Sequence, residues 1–235
     1  MDVSLRFDDD IAVVTLDDGK KNTITIEAMK DLDAAMDEAE GRATAVVLAG
    51  RPGSFCAGFD LSVMLGDDPA AIAEIGRRGG AFARRLYGDG RPLVAACTGH
   101  AFTIGALWLL GCDTRIGEAG DYRFCMIETQ VGYVLKPWTT VLLQARLNPR
   151  HYVPCVVQSR IFDPEAAVQA GFLDEVVAPG RAVETAIERA RGLVELPAHA
   201  YAGNKLGPRR EGLAIMAEDL GLDAHGKLRP ASSEG

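Results

Sequence analysis

Residues 92–113 read PLVAACTGHAFTIGALWLLGCD, and the order of residue types along them decides how the chain is built. The unbroken apolar run at 92–97 suits a strand covered on both faces, and a glycine-bearing turn then feeds an apolar helix. Some forty residues earlier, TAVVLAGRPGSFCAGFDLS (44–62) follows the same plan, with a continuous apolar strand at 44–50 and a glycine-rich loop at 51–60. Both loops, 51–60 and 98–105, bring the chain from a buried strand onto glycine-rich backbone just before a helix starts. Such backbone can aim free N–H groups at one point, and helix starts leave their first amides unpaired and positively polarised. Two convergent amides can stabilise a developing negative oxygen, and losing one such donor typically costs about 3–4 kcal/mol. Turn chemistry alone is the commoner reason for glycine after a strand. Neither loop carries a G-K-[ST] phosphate loop or G-x-G-x-x-G. On spacing alone both readings stay open.

Outward from this pair, VSLRF (3–7) and IAVVTL (11–16) alternate and predict an antiparallel hairpin. Helical spacing over 25–41 predicts a helix with Thr25 as N-cap and Gly41 as its stop. Further helices are expected at 70–88, 137–147, 150–158 and 164–171, with strands at 114–118, 122–126 and 173–177. From 183 onward the chain reads as helices, ending in a tail at 228–235 expected to be disordered. Strand–turn–helix units with a helical last third predict α/β architecture. The division expected is a core over 1–180 and a C-terminal helical region over 181–235.

With 235 residues and a formal net charge of -8, the chain has material for a core and no broad nucleic-acid footprint. The five cysteines are odd in number, scattered and without a C-x-x-C pair, which predicts small core residues in a reducing compartment. The four histidines are equally dispersed, so no metal site is expected. The acidic start MDVSLRFDDD lacks a hydrophobic signal region, and the longest apolar stretch, around 101–110, is far short of a membrane span. A cytoplasmic protein without membrane contact is the expectation.

One carboxylate stands out. In FCMIETQVG (124–132), Glu128 sits among mostly apolar neighbours, where burying a charge is costly without compensation. On residue pattern alone, a glutamate opening a helix commonly serves the cap or the dipole.

SFCAGFDLS (54–62), PLVAACTGHAFTIGALWLLGCD (92–113), YRFCMIETQVG (122–132) and AAVQAGFLDEVV (166–177), in that order, resemble the crotonase superfamily of enoyl-CoA hydratases and isomerases. The likeness covers roughly residues 3–180 and implies a crotonase-type spiral of repeated ββα units with a helical C-terminal region. It implies that backbone N–H groups of Phe59 and Ile104 hold the thioester oxygen of an acyl-CoA. Thr103-Ile104-Gly105 stands where many hydratases have consecutive glycines. Coenzyme A, arriving as part of the substrate, would run along Ala57, Gly58, Phe59, Asp60 and Leu61, with Lys20 meeting a phosphate. Arg51 is a further candidate, whereas Lys205 is expected on a solvated helix face.

The family's two hydratase glutamates map onto Leu107 and Glu128, so one acid is replaced by leucine. Hydration needs water activated and a proton delivered, work that two carboxylates share. Moving a double bond from C3 to C2 needs one base that takes a proton from the α-carbon and returns it at C4. GALWLLGCD (105–113), and ETQVG (128–132) followed by PW (137–138), resemble the Δ3,Δ2-enoyl-CoA isomerase branch, in which the single glutamate is the shuttling base. Met126, Ile127 and Val131 are expected to give Glu128 an apolar setting that favours its protonated form. By the same resemblance no metal or redox cofactor is needed, the assembly is a homotrimer or homohexamer, and the default role is fatty-acid β-oxidation. Cys56, Trp108 and Trp138 are read chiefly as packing, His100 as structural or pocket-lining, and Asp113 as a turn anchor. Another crotonase reaction, such as hydration or thioester hydrolysis, and non-catalytic acyl-CoA binding are the competing readings.

Overall fold

The expected hairpin opens the chain, with β1 (Asp2–Asp8) antiparallel to β2 (Ile11–Asp17). The structure, a computed structural model, describes residues 2–223 and 226–229. After the short β3 (Thr23–Ile24) comes α1 (Ile26–Glu40), where Thr25 accepts a hydrogen bond from the Ala28 amide and Gly41 caps the far end. Met29, Leu32, Met36 and Ala39 recur at helical spacing and are buried, which fixes the face α1 presents to the sheet. The chain continues through β4 (Ala45–Ala49), β5 (Gly53–Cys56), β6 (Gly58–Phe59), α2 (Leu61–Met64) and α3 (Pro69–Gly88). Next come β7 (Leu93–Cys97), β8 (Gly99–Phe102), α4 (Ile104–Gly111), β9 (Thr114–Glu118), β10 (Phe124–Cys125) and α5 (Pro137–Arg146). The last third holds α6 (Pro164–Ala170), β11 (Glu175–Val177), α7 (Ala182–Val194) and α8 (Ala198–Asp219).

The main sheet has the order β1-β2-β4-β7-β9-β11, and every pairing after the first hairpin is parallel. Side chains alternate across it. Val46, Leu48, Ala95 and Cys97 join the larger core with α1, α3 and α4, while Val47, Ala49, Val94 and Ala96 pack on Ala182, Ala186, Ile187 and Ala190 of α7. Both faces are covered, which is why β4 and β7 are apolar throughout.

Several expectations need correction. The stretches 51–60 and 98–105 are not simply loops: they contain strands of two small sheets, β10-β8-β5 and β3-β6. A Cβ on Gly99 would lie 2.0 Å from the Gly53 carbonyl carbon, so glycine there allows β5 and β8 to approach closely. Turn composition signals a change of direction and says nothing of a pairing partner distant in the sequence. Residues 150–158 form a 3₁₀ turn (Pro149–His151) and a π turn (Val153–Val157) rather than one helix, and 122–126 shortens to β10. Lys205 is not on a solvated face. It is buried, with Nζ donating to Asp113 Oδ2 at 2.6 Å and to the Arg91 carbonyl at 2.8 Å. Of the tail expected to be disordered, residues 230–235 lie outside the described residues. Among the described residues no helix is long and apolar enough to cross a membrane.

Asn22 carries no signal in the sequence reading, yet it ties the first strands together. Fully buried, its Nδ2 donates to the carbonyls of Leu16 at 2.8 Å and of Ser54 and Phe55 at 3.1 Å, and its Oδ1 accepts from the Asp18 amide. Its φ of 57° is the left-handed conformation that asparagine tolerates better than alanine. Asn22→Ala is expected to cost about 3 kcal/mol, through orphaned carbonyls and backbone strain, as read by urea unfolding.

Candidate active site

The two glycine-bearing turns interlock. β5 and β8 pair in parallel, with Gly53 opposite Gly99, and β10 lies on the other side of β8. A Cβ on Gly58, whose φ is +104°, would sit 2.8 Å from Thr103 Oγ1. One on Gly105 would sit 2.7 Å from the Cys56 carbonyl oxygen. Thr103 has φ 48° and ψ -112°, a region that L side chains rarely adopt, at the residue that starts α4. Strain of this kind persists where surrounding contacts over-determine the backbone.

The candidate donor amides follow from local pairing. The Asp60 amide donates to the Ile24 carbonyl at 3.0 Å, so the amide of Phe59, one residue earlier, faces away from β3. At the second turn, Leu107 N donates to Thr103 O at 3.0 Å as the first bond of α4. The amides of Ile104, Gly105 and Ala106 therefore precede the helical ladder. The structure thus brings Phe59 and Ile104 together, and both side chains meet at Gly79 of α3.

Glu128 is delivered by β10. The Cys125 carbonyl accepts from the Thr103 amide at 3.0 Å, so the segment carrying Glu128 leaves the sheet beside the second turn. No helix begins there. Residues 127–133 form a turn in which Val131 N donates to Ile127 O and Tyr133 N to Glu128 O, which removes the helix-start account of this carboxylate. Glu128 Oε2 is buried without a hydrogen-bond partner. Burial pushes the carboxyl up to about 7 from an ordinary value of 4.5, opposed only by a bond to its own backbone. The apolar setting is not quite the one expected, because Val131 is 65% exposed while Met126 is fully buried. Leu107 packs in the core at 2% exposure. A carboxyl whose pKa is raised toward neutrality can give and take a proton, and this one follows by three residues the Cys125 carbonyl that holds the Thr103 amide.

The other candidates separate clearly. Asp18 accepts from the amides of Lys20, Asn22 and Thr23; burial raises its pKa, but these bonds win and hold it below the usual value. That turn presents Lys20 to solvent. Arg51 is engaged elsewhere, donating to Asp17 at 2.9 Å and to the Lys20 carbonyl at 2.6 Å, so it braces the Lys20 turn. Asp60 caps α2 by accepting from the Ser62 amide, Gly58 is buried, Ala57 and Phe59 are half-buried, and Leu61 is 66% exposed. Burial lifts the Cys56 thiol to about 12, which rules out a ready thiolate. His100 Nδ1 accepts from the Arg123 amide, and burial followed by the Arg123 charge lowers its pKa. Trp108 is fully buried and Trp138 nearly so, as core residues. A cavity of about 430 Å³ lined by Asp113, Tyr201, Lys205 and Arg209 lies at the opposite end of α4, roughly 12 Å along the helix, and is no part of this site.

An α/β scaffold thus gathers two amide-bearing turns and one carboxyl with a buried oxygen at the ends of parallel strands. The family model described as enoyl-CoA hydratase/isomerase matches residues 6–206, and the chain belongs to that family, with the crotonase fold. It is 29% identical over 195 residues to "Enoyl-CoA delta isomerase 1, mitochondrial" of Homo sapiens, covering 81% of this chain and 64% of the human protein. The chain thus spans less than two thirds of that relative's length. It is 30% identical over 229 residues to "Probable enoyl-CoA hydratase echA17" of Mycobacterium avium, covering 87% of this chain and 88% of the relative. The crystal structure of the enoyl-CoA hydratase EchA3 from Mycobacterium ulcerans superposes with a TM-score of 0.89 at 32% identity, covering 93% of this chain and 96% of that one. Isomerase and hydratase names both occur among these relatives.

Proposed function

We propose that the protein is an acyl-CoA isomerase that shifts the double bond of a 3-enoyl-CoA to trans-2-enoyl-CoA. The observation that carries this reading is the buried, unpartnered carboxyl oxygen of Glu128, set against a leucine at 107. Glu128 as carboxylate takes a proton from C2, the electron pair moves toward the thioester oxygen, and the amides of Phe59 and Ile104 stabilise that dienolate. The same carboxyl returns the proton at C4, so no net proton is exchanged and a second acid is unnecessary. Coenzyme A is placed along residues 57–61 with Lys20 at a phosphate, a reading supported by the exposure of the Lys20 turn and of Leu61. Assembly as a homotrimer or homohexamer and a cytoplasmic location belong to the same proposal. The first is supported by exposed Val153, Val157 and Ile161, the second by five buried free thiols.

The test gives purified protein a 3-enoyl-CoA and, separately, a trans-2-enoyl-CoA, and follows absorbance of the conjugated thioester. A rise with the first and little loss with the second is expected. Rapid loss with the second would replace this reading by hydration, the activity named for the Mycobacterium avium and Mycobacterium ulcerans relatives. Silence with both, alongside binding of CoA esters, would leave acyl-CoA binding.

The pH profile supplies an independent check. The proton-accepting form is the carboxylate, so kcat/KM of the free enzyme is expected to fall about tenfold per pH unit below an inflection near 7. An inflection near the ordinary 4.5 of a solvated glutamate would count against Glu128 as the base.

A further inference from the structure

Besides Gly88 at its last position, helix α3 carries glycines at 76, 79 and 80, and a glycine inside a helix costs about 1 kcal/mol relative to alanine, so what surrounds each is informative. A Cβ on Gly76 would meet nothing within 4 Å. One on Gly80 would meet Leu220 at 2.5 Å and Trp138 at 2.9 Å, which makes Gly80 a seat for the C-terminal packing. Gly79 faces something different. Its Cβ would lie 2.6 Å from Cζ and 2.7 Å from Cε1 of Phe59, and 3.3 Å from Cδ1 of Ile104. Gly79 touches the side chains of both residues whose amides form the candidate oxyanion hole.

We infer that Gly79 is a positioning residue: its bare Cα seats the Phe59 ring and the Ile104 side chain, and this contact sets the aim of their two backbone amides. The inference rests on the acyl-CoA reading of the site. Its mechanical logic lies in which partner can yield. Trp108 Nε1 donates to the Gly79 carbonyl at 3.1 Å in the buried core, and the Trp108 and Phe82 rings meet edge to face with centroids 4.9 Å apart. Helix α3 is therefore pinned to α4 at this residue. Phe59 is half-buried on the two-residue strand β6, whose ladder with Thr23 and Ile24 is flanked by the Ala57 amide on the Lys21 carbonyl and the Asp60 amide on the Ile24 carbonyl. A methyl group added at 79 meets the Phe59 ring first, while α3 is held at its carbonyl, so the ring is the partner that must move, and by this inference β6 follows it. Ile104, at 3.3 Å, need give only a few tenths of an ångström.

The test compares wild type with Gly76→Ala, Gly79→Ala, Phe59→Leu and the double variant Gly79→Ala/Phe59→Leu. Each is assayed for kcat and KM on a 3-enoyl-CoA, and for the red shift of trans-2-enoyl-CoA absorbance on binding, which reports polarisation of the thioester carbonyl. Gly76→Ala receives the same methyl in open space and is expected to match wild type. Gly79→Ala is expected to lose about 10²-fold in kcat with KM nearly unchanged, and to lose the red shift. Leucine lacks the two ring atoms that clash, so the double variant is expected to regain the kcat of Phe59→Leu alone within about threefold. Gly79→Ala behaving like Gly76→Ala would overturn the inference while the acyl-CoA reading stands. A kcat loss that Phe59→Leu does not relieve would also overturn it. Should Gly79→Ala fail to fold, the double variant measured against Phe59→Leu still decides, equality supporting the inference and damage overturning it. Wild type that neither turns over nor polarises any enoyl-CoA would overturn the reading of the site, and the inference with it.

Discussion

Glu128→Gln is expected to lower turnover of a 3-enoyl-CoA by about 10³-fold, within the range that a positioned general acid–base supplies. Glutamine preserves the shape of the side chain and removes the exchangeable proton, so affinity for a CoA ester is expected to change only a few fold. The same substitution has a stability consequence of definite sign. In the unfolded chain the carboxyl titrates near 4.5, and in the folded chain burial raises it to about 7. Between those values the folded protein holds a proton that the unfolded chain has released, so rising pH favours unfolding. Wild type should therefore lose about 3 kcal/mol relative to Glu128→Gln as pH rises from 4 to 8, with no further change above it. Urea unfolding of both proteins across that range measures the difference. A gap independent of pH would show that Glu128 is ordinarily solvated, and the case for it as the proton carrier would fail.

Asp113→Ala carries the largest expected loss of stability. This carboxylate, at the end of α4, is 10% exposed and accepts from four donors on other elements. Oδ2 takes the Leu93 amide at 3.0 Å, the Tyr201 hydroxyl at 3.0 Å and Lys205 Nζ at 2.6 Å, while Oδ1 takes Arg209 Nη2 at 3.1 Å. Removing it leaves two buried cations, Lys205 at 5% and Arg209 at 12% exposure, without their counter-charge. Breaking a buried pair from one side typically costs about 3–5 kcal/mol, and a loss of that size is expected here by urea unfolding. Adding Lys205→Met should return part of it, because an uncompensated charge is then no longer buried. A loss below about 1 kcal/mol would mean that water reaches the cluster through the adjacent cavity and compensates the cations.

Much of the candidate site was legible as short sequences, though not as an arrangement. The apolar runs at 44–50 and 92–97 reveal buried strands because both faces of that sheet are covered, and the structure shows their pairing to be parallel. Glu128 stands out as a lone carboxylate among apolar residues, but residue pattern alone favoured a helix cap, and only the ordered family motifs turned the reading toward a base. Lys205 illustrates the opposite case. A lysine amid polar helical residues looks solvated, and only the packing of α8 against α3 and α5 brings it to Asp113, just past the end of α4, which lets it be buried. Asn22 is similar, since its value comes from three carbonyls, two of them more than thirty residues away.

By itself, the sequence determined most of the helices and strands, the buried core strands of an α/β fold, the family motifs and the replacement of one acid by Leu107, because these depend on local pattern and residue chemistry. Tertiary structure alone decided three things: that residues 51–60 and 98–105 pair as strands, that Glu128 lies on a turn with an orphaned oxygen, and that Gly79 touches both donor residues. The physical reason is common to all three. Pairing partners, desolvation and close contact are properties of groups distant in the chain, and they exist only once folding has brought those groups together.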